Sequence, residues 1–393
     1  MTTFCGQTSR VGKQQVTGGL YTYTIHDSID DVDRDAWVSL NTGRDDVFMD
    51  PRFIKVAEGS MDQIGQLRCV LFRDLNGRAV ASACFYPYVL EASHLFSDRA
   101  KRVVAFASRV LPWLTRFRLI VCGLPIGAGQ SSLRIAADAD AAAILAILDS
   151  ILLEVAAEFR AIAILWREFT DRECERLQPL HDLGYRREAQ FPMHHAAVVD
   201  SSFSEYCQRI KSSKRRVIKR SQEKFESSGM RVEHKTGAQT LSDVDSTDFY
   251  HLFEAVLDGK QTFEILPPKF FDELACRMPD QVVFTLISKD DQIKAFAASL
   301  RTESVFRQLF VGYDTESNAD CDLYFNLWFH ILDYALQGGF SDIVLGQTCD
   351  TFKKQKLGAW QDDRSYFTKG LNRFASTILR LTSAGMQKYT ESA

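Results

Sequence analysis

The sequence has no Cys-x-x-Cys pair; its nine cysteines (5, 69, 84, 122, 174, 207, 276, 321 and 349) fall singly along 393 residues. No cluster of His, Cys and Asp has metal-ligand spacing, so no metal is expected. An odd cysteine count without a framework points to a reducing compartment. Cys69, Cys84 and Cys122 lie in apolar, strand-like runs, where a reduced thiol packs as a small hydrophobe. Also missing are a basic-then-apolar leader and any run of ~18 apolar residues, so neither a signal peptide nor a membrane span is expected. The chain reads as cytoplasmic. Gly-x-Ser-x-Gly is absent, and no Cys–His arrangement stands out, so a covalent intermediate is unsupported. Charge of one sign is scarce too: the formal net charge is −4 and the pI about 6.1. That balance disfavours a dedicated nucleic-acid binder, and no DNA partner is expected.

What is there is a soluble globular composition, 46% hydrophobic and 25% charged, on a chain long enough for two domains. A repeat organises it. Residues 67–86 read as two strands around the Asn76-Gly77 turn, and residues 282–300 repeat that layout around Asp290-Asp291. Each hairpin is followed by an apolar helix (139–159 and 323–337) and a short strand (161–166 and 341–346). A further helix ends in Leu183-Gly184 in the first half and Leu357-Gly358 in the second, with glycine at the left-handed cap position. Strands alternating with helices in this order predict an α/β (α+β) protein of two units, each a mixed twisted sheet flanked by helices. The predicted domains are 1–198, with an amphipathic insertion at about 92–122, and 199–393.

Hairpin, helix, strand and a helix ending in Leu-Gly, twice over, resembles the GNAT acyltransferase superfamily and its FemAB-like and BioF-like branch. The match is most specific over 205–370: KRRVIKR, then TFEILPPKFFDEL (262–274), the hairpin, Gly312-Tyr313, LYFNLWFHILDYALQGG (323–339), and Lys354 four residues before Gly358. The resemblance implies two tandem GNAT-like domains and an N-acyltransferase that passes an acyl group from an activated donor to a primary amine. Single-domain GNAT enzymes cradle coenzyme A with [QR]xxGx[GA]; Gln355 to Trp360 fails that pattern at its last position. No cofactor is expected to stay bound. Acyl-coenzyme A, an acyl carrier protein thioester and a charged tRNA all stay open as donor substrates.

The resemblance puts Lys354 first among the site residues, beside the donor or acceptor, where a cation suits an oxyanion or a phosphate. Lys353 and Lys356 are its substrate-binding neighbours; all three also suit the end of a helix. Tyr324 is read as an acid for the leaving thiolate, and Asn326 as a polar residue facing the cleft. His194 and His195 are adjacent, so in a strand they face opposite sides and one is expected to be a general base. Glu264 is a second base candidate.

Two basic stretches bear on substrate. Residues 98–118 carry Val103, Phe106, Val110, Trp113, Leu114 and Phe117 at helical spacing with cations between them, and the tail from Leu371 is similar in miniature. Such helices cover a core or lie on an anionic membrane, so peripheral contact with the inner membrane surface and a lipid-like amine, such as a sphingoid base, enter the reading. In 209–224, eight of sixteen residues are basic and only Glu223 is acidic. Phe203, Tyr206, Ile210, Val217 and Phe225 form its apolar stripe, with Ser212-Ser213 as a break. Arg215, Arg216 and Arg220 are then placed to reach a phosphate. The alternatives to a thioester-dependent enzyme are an aminoacyl-tRNA-dependent transferase acting on a peptidoglycan precursor or peptide, and a non-catalytic ligand-binding module.

Overall fold

The computed structural model describes residues 9–16, 19–41, 45–61, 65–91, 116–127, 129–243, 246–257, 266–348, 350–377 and 379. They form two compact units. The first holds the described residues up to Phe191 and those from Asp363 onward; the second holds those between Pro192 and Asp362.

In chain order the first unit has β1 (Ser9–Val16), β2 (Gly19–His26), α1 (Arg34–Val38), α2 (Pro51–Ser60), β3 (Arg68–Arg73), β4 (Ala79–Glu91), β5 (Arg116–Cys122) and β6 (Leu133–Ile135). There follow α3 (Ala141–Phe159), β7 (Ala163–Phe169), α4 (Asp171–Arg176), α5 (Pro179–Asp182) and β8 (Arg186–Ala196), whose last residues enter the second unit. The second unit continues with α6 (Phe203–Arg209), α7 (Ser212–Ser227), β9 (Arg231–Thr236), α8 (Gly237–Asp243), α9 (Ser246–Leu257) and α10 (Lys269–Arg277). Next come β10 (Val282–Lys289), β11 (Gln292–Arg301), β12 (Val305–Tyr313), α11 (Thr315–Cys321), α12 (Leu323–Gln337), β13 (Asp342–Gly346), α13 (Asp350–Lys356) and β14 (Trp360–Gly370).

Both hairpins form where the turn residues demand. Gly77 has φ +79°, and Asp290 and Asp291 take φ of 51° and 60°, the double left-handed turn whose twist matches the flanking strands. Leu183-Gly184 and Leu357-Gly358 close their helices as the sequence suggests, with φ +89° and +64° at the glycines. The Asp140 carboxylate caps α3 by accepting from the Ala143 N–H, and the helix ends at Arg160 in the left-handed region.

The strand order of the first unit runs β1-β2-β3-β4-β5-β7-β14, with β6 on β4. Here β5 and β7 are parallel, from Leu119↔Ala163 to Cys122↔Trp166. The second runs β8-β13-β12-β11-β10-β9, and its parallel pair is β12 with β13. Each parallel pair is joined by the long apolar helix that crosses one face. Ile144, Leu148 and Leu152 of α3 bury against Val70, Ile120 and Ile164; Leu327, Ile331 and Leu332 of α12 bury against Ala295, Phe306 and Ile343. Each such side chain contributes about 1.5–3 kcal/mol.

Three features depart from the sequence reading. The last strand does not complete the second unit: Ser365 to Gly370 pair antiparallel with β7 in the first. The pairing partner of a final strand is set by non-local contacts that no local pattern carries. The stretch expected as the end of an amphipathic insertion, 116–122, is strand β5, because its apolar residues fill a ladder position between β4 and β7; residues 92–115 and 380–393 lie outside the described residues. In the basic stretch Ile218 and Phe225 are buried while Val217 is 51% exposed. The helical break falls at Ile210-Lys211, so α7 starts its own phase and turns Ile218, Ser221 and Phe225 inward.

Candidate functional site

Within the second unit, β12 and β13 pair only from Val305↔Asp342 to Arg307↔Val344, although β12 runs on to Tyr313 and β13 to Gly346. Two parallel strands that part midway leave backbone groups out of the ladder, which an inserted ligand can use. Gly346 stands at this opening with φ +84°. A Cβ added there would lie 3.6 Å from Lys353 Nζ and 3.8 Å from the Gln308 carbonyl oxygen. The Lys353 ammonium therefore reaches the end of β13 from α13.

Lys353 is 2% exposed, and its Nζ sits 5.1 Å from the centroid of the Trp328 ring on α12. An ammonium over an indole face gains from the ring quadrupole, more so when desolvated. Trp328 is itself buried, and its Nε1 has no hydrogen-bond partner among the described residues. Around this pair stand half-buried and exposed aromatics. Tyr324 lies 5.3 Å from both Tyr313 and Phe352, and Phe352 stacks on Phe325 at 5.0 Å with an 11° interplanar angle.

The other residues singled out in the sequence divide clearly. Lys354, one position on, is exposed, and Lys356 is half-buried. Asn326 is buried away from solvent, its amide nitrogen within 3.0–3.2 Å of the Ser221 carbonyl and hydroxyl and of the Cys321 and Asp322 carbonyls. It ties α12 to α7. Arg215, Arg216 and Arg220 are exposed on α7. Glu264 lies outside the described residues.

His194 and His195 do leave β8 on opposite faces. His194 Nδ1 meets the Gly346 carbonyl at 3.0 Å and its Nε2 meets the Gln361 amide at 3.2 Å. It fastens β13 at the opening. His195 Nδ1 lies 2.7 Å from Asp342 Oδ1, and its ring stacks on Trp360 at 4.4 Å and 16°. Burial raises the Asp342 carboxyl, but the His195 hydrogen bond and the charges of His195 and Arg307 prevail and hold it below the usual range.

Sequence reasoning missed Trp328, Gly346 and Asp342. Trp328 looked like one more apolar residue of α12; a tryptophan four residues after Tyr324 on the same helix face was the available signal.

Residues 28–347 match the FemAB-like family, described as peptidoglycan biosynthesis/recognition. The chain belongs to the FemAB-like family. No curated protein matches it in sequence. Among solved structures it is similar to FemX, at 12% identity with a TM-score of 0.55, over 95% of this chain and 100% of that one. It is similar also to a tandem GNAT protein from the clavulanic acid biosynthesis pathway, at 9% identity and TM-score 0.52, over 93% and 99% of the two chains. A third is the C-terminal domain of a putative lysylphosphatidylglycerol synthetase from Agrobacterium fabrum, at 10% identity and TM-score 0.52, over 89% and 95%. These likenesses establish the tandem GNAT fold. This FemAB-like chain is a transferase on that fold, and no helix among its described residues is long and apolar enough to cross a membrane.

Proposed function

We propose that the second unit transfers an acyl group from a thioester carrier to a primary amine, by direct attack of the amine on the acyl carbonyl. The observation that carries this reading is the parting of β12 and β13 with the buried Lys353 ammonium brought to its edge, in a FemAB-like chain. Acyl transfer needs a cation or N–H donors where the tetrahedral oxyanion develops, and a cation in a low-dielectric site serves better than one in water. In this reading Lys353 faces the oxyanion, while the exposed Lys354, with Lys356 beside it, meets phosphate on the carrier. Tyr324 gives a proton to the leaving thiolate. Direct attack is favoured over an acyl-cysteine, because burial pushes the Cys207 thiol up to about 11 and raises Cys122 and Cys174 as well. The basic, apolar sequence of 98–115 supports an amphiphilic amine, such as a sphingoid base, as acceptor.

A second reading, aminoacyl transfer from tRNA to a peptidoglycan precursor, is favoured by the family description and by the exposed cations of α7. Purified protein incubated with acetyl-coenzyme A, palmitoyl-coenzyme A or alanyl-tRNA and a panel of amines, read by mass spectrometry of products, separates the two. Transfer from a purified thioester that survives ribonuclease is the expected result. Transfer only from the tRNA, abolished by ribonuclease, replaces the first reading with the second.

A further inference from the structure

His194 and His195 are neighbours in sequence with opposite fates. His194 engages both ring nitrogens. His195 engages one: Nδ1 lies against Asp342 Oδ1, while Nε2 is buried without a hydrogen-bond partner among the described residues. The Asp342 carboxylate, held ionised as described above, can only accept. Nδ1 therefore carries the hydrogen, and in the neutral ring, the form that can act as a base, Nε2 presents its lone pair.

A residue 7% exposed ordinarily satisfies both nitrogens, because a buried polar atom left without a partner loses its hydration with nothing in return. The lone pair of Nε2 thus calls for a donor that the described fold does not supply. Its position suits a reacting group. His195 pairs with Val344, the last β13 residue in register with β12, so the imidazole stands beside the point where the two strands part. The charged groups on this face are Asp342 from β13 and Arg307 from β12, opposite Val344. From β14 come Trp360 and, two residues on along the same face, Asp362. Trp360 covers the ring yet is 52% exposed, so it is the side chain that must swing aside for a substrate to reach Nε2.

We propose that His195 Nε2 is the base that takes the proton from the attacking amine, with Asp342 as its positioning residue and Trp360 as a displaceable cover. This rests on the acyl-transfer reading. The amine N–H proton passes to Nε2 as the nitrogen lone pair forms the C–N bond to the acyl carbon. The oxyanion then collapses, the bond from the acyl carbon to the carrier's sulfur breaks, the sulfur receives a proton from Tyr324, and the proton on Nε2 is released to restore the Tyr324 phenol. The imidazole ends neutral, and no oxidant, metal or co-reactant is consumed.

The test uses the full chain, with acetyl-coenzyme A, palmitoyl-coenzyme A or alanyl-tRNA as donor and either n-butylamine or hydroxylamine as acceptor. Hydroxylamine is largely unprotonated at neutral pH and has little need of a base. His195→Asn keeps an N–H for Asp342 and removes the base. The expected result is a loss of about 100-fold or more with n-butylamine and a rate close to the parent's with hydroxylamine. Asp342→Asn, which presents a donor to Nδ1, is expected to shift the acidic limb of the pH–rate profile for n-butylamine. His195→Asn matching the parent on both acceptors overturns the proposal. So does an equal loss on both acceptors with a lowered melting temperature, which marks a structural role only. A parent protein that transfers from no donor overturns the acyl-transfer reading itself, and the proposal with it; that failure is visible without any variant.

Discussion

The side-chain amide of Asn326 on α12 lies 3.1 Å from the backbone carbonyl and 3.2 Å from the hydroxyl of Ser221 on α7. Both residues are buried, so the contact fixes the basic helix against the apolar helix that carries Trp328. Asn326→Ala is expected to cost about 1–3 kcal/mol, because the Ser221 groups then stay buried without their partner. Urea unfolding followed by circular dichroism measures the loss. A midpoint equal to the parent's contradicts this account of Asn326.

Lys353 and Lys354 are adjacent on α13 yet differ in kind, one buried over Trp328 and the other exposed. Lys353→Met is expected to lower kcat by about 100-fold or more, as the loss of an oxyanion donor does. Lys354→Met is expected to raise KM for the donor with kcat nearly kept. Steady-state kinetics with the active donor decides it, and the reverse pattern would return the central role to Lys354.

Gly346 has φ +84°, a conformation that costs an L-residue roughly 1–2 kcal/mol. An added Cβ would also come into van der Waals contact with Lys353 Nζ, at 3.6 Å, on the edge of the opening. Gly346→Ala should therefore lower the melting temperature and impair turnover together. A variant with parental stability and rate would show that the opening tolerates a side chain.

The register of α7 is checked by charge insertion. Val217→Asp is expected to change stability by no more than about 0.5 kcal/mol, since Val217 is half exposed, while Ile218→Asp is expected to cost about 3 kcal/mol or more. Chemical denaturation of the pair gives the answer, and equal effects would refute the observed phase.

Burial pushes His330 below the ordinary histidine value, with Asp333 partly opposing. The unfolded chain therefore binds this proton more readily than the folded one. The contribution is complete above about pH 6.5, the unfolded value, and is lost as the pH falls toward the folded value. His330→Gln should make the decline of melting temperature between about pH 7 and about pH 5 shallower than the parent's. An unchanged slope means that His330 titrates alike in both states.

Elements set by local chemistry were legible in the sequence. Helix α12 begins at Leu323 and ends before Gly338 as its apolar period and the two glycines indicate, and both hairpins turn at their Asn-Gly and Asp-Asp pairs. What was not legible depends on partners far along the chain. Which of two adjacent lysines is buried is decided by Trp328, on another helix. The hydrogen bond that orients His195 is made to Asp342, 147 residues away. Val217 and Ile218 are both plausible core residues until the break at Ile210-Lys211 fixes where the helix starts. Glycine at 346 carries no motif; only the parting of the strands gives it meaning.

The return of β14 to the first unit has a consequence for biosynthesis. Ser365 to Gly370 form a ladder with β7, and Lys369 pairs there with the buried Asp149, whose other contact is the Tyr185 hydroxyl. While the ribosome is still making residues 200–360, the N-terminal sheet waits without the β14 strand beside β7 and with the Asp149 carboxylate lacking its lysine. Its closure is a late, long-range event, slow on the scale of local folding. A nascent chain released at Asp362 would carry every residue of the second unit and still expose the open edge of the first to chaperones and proteases.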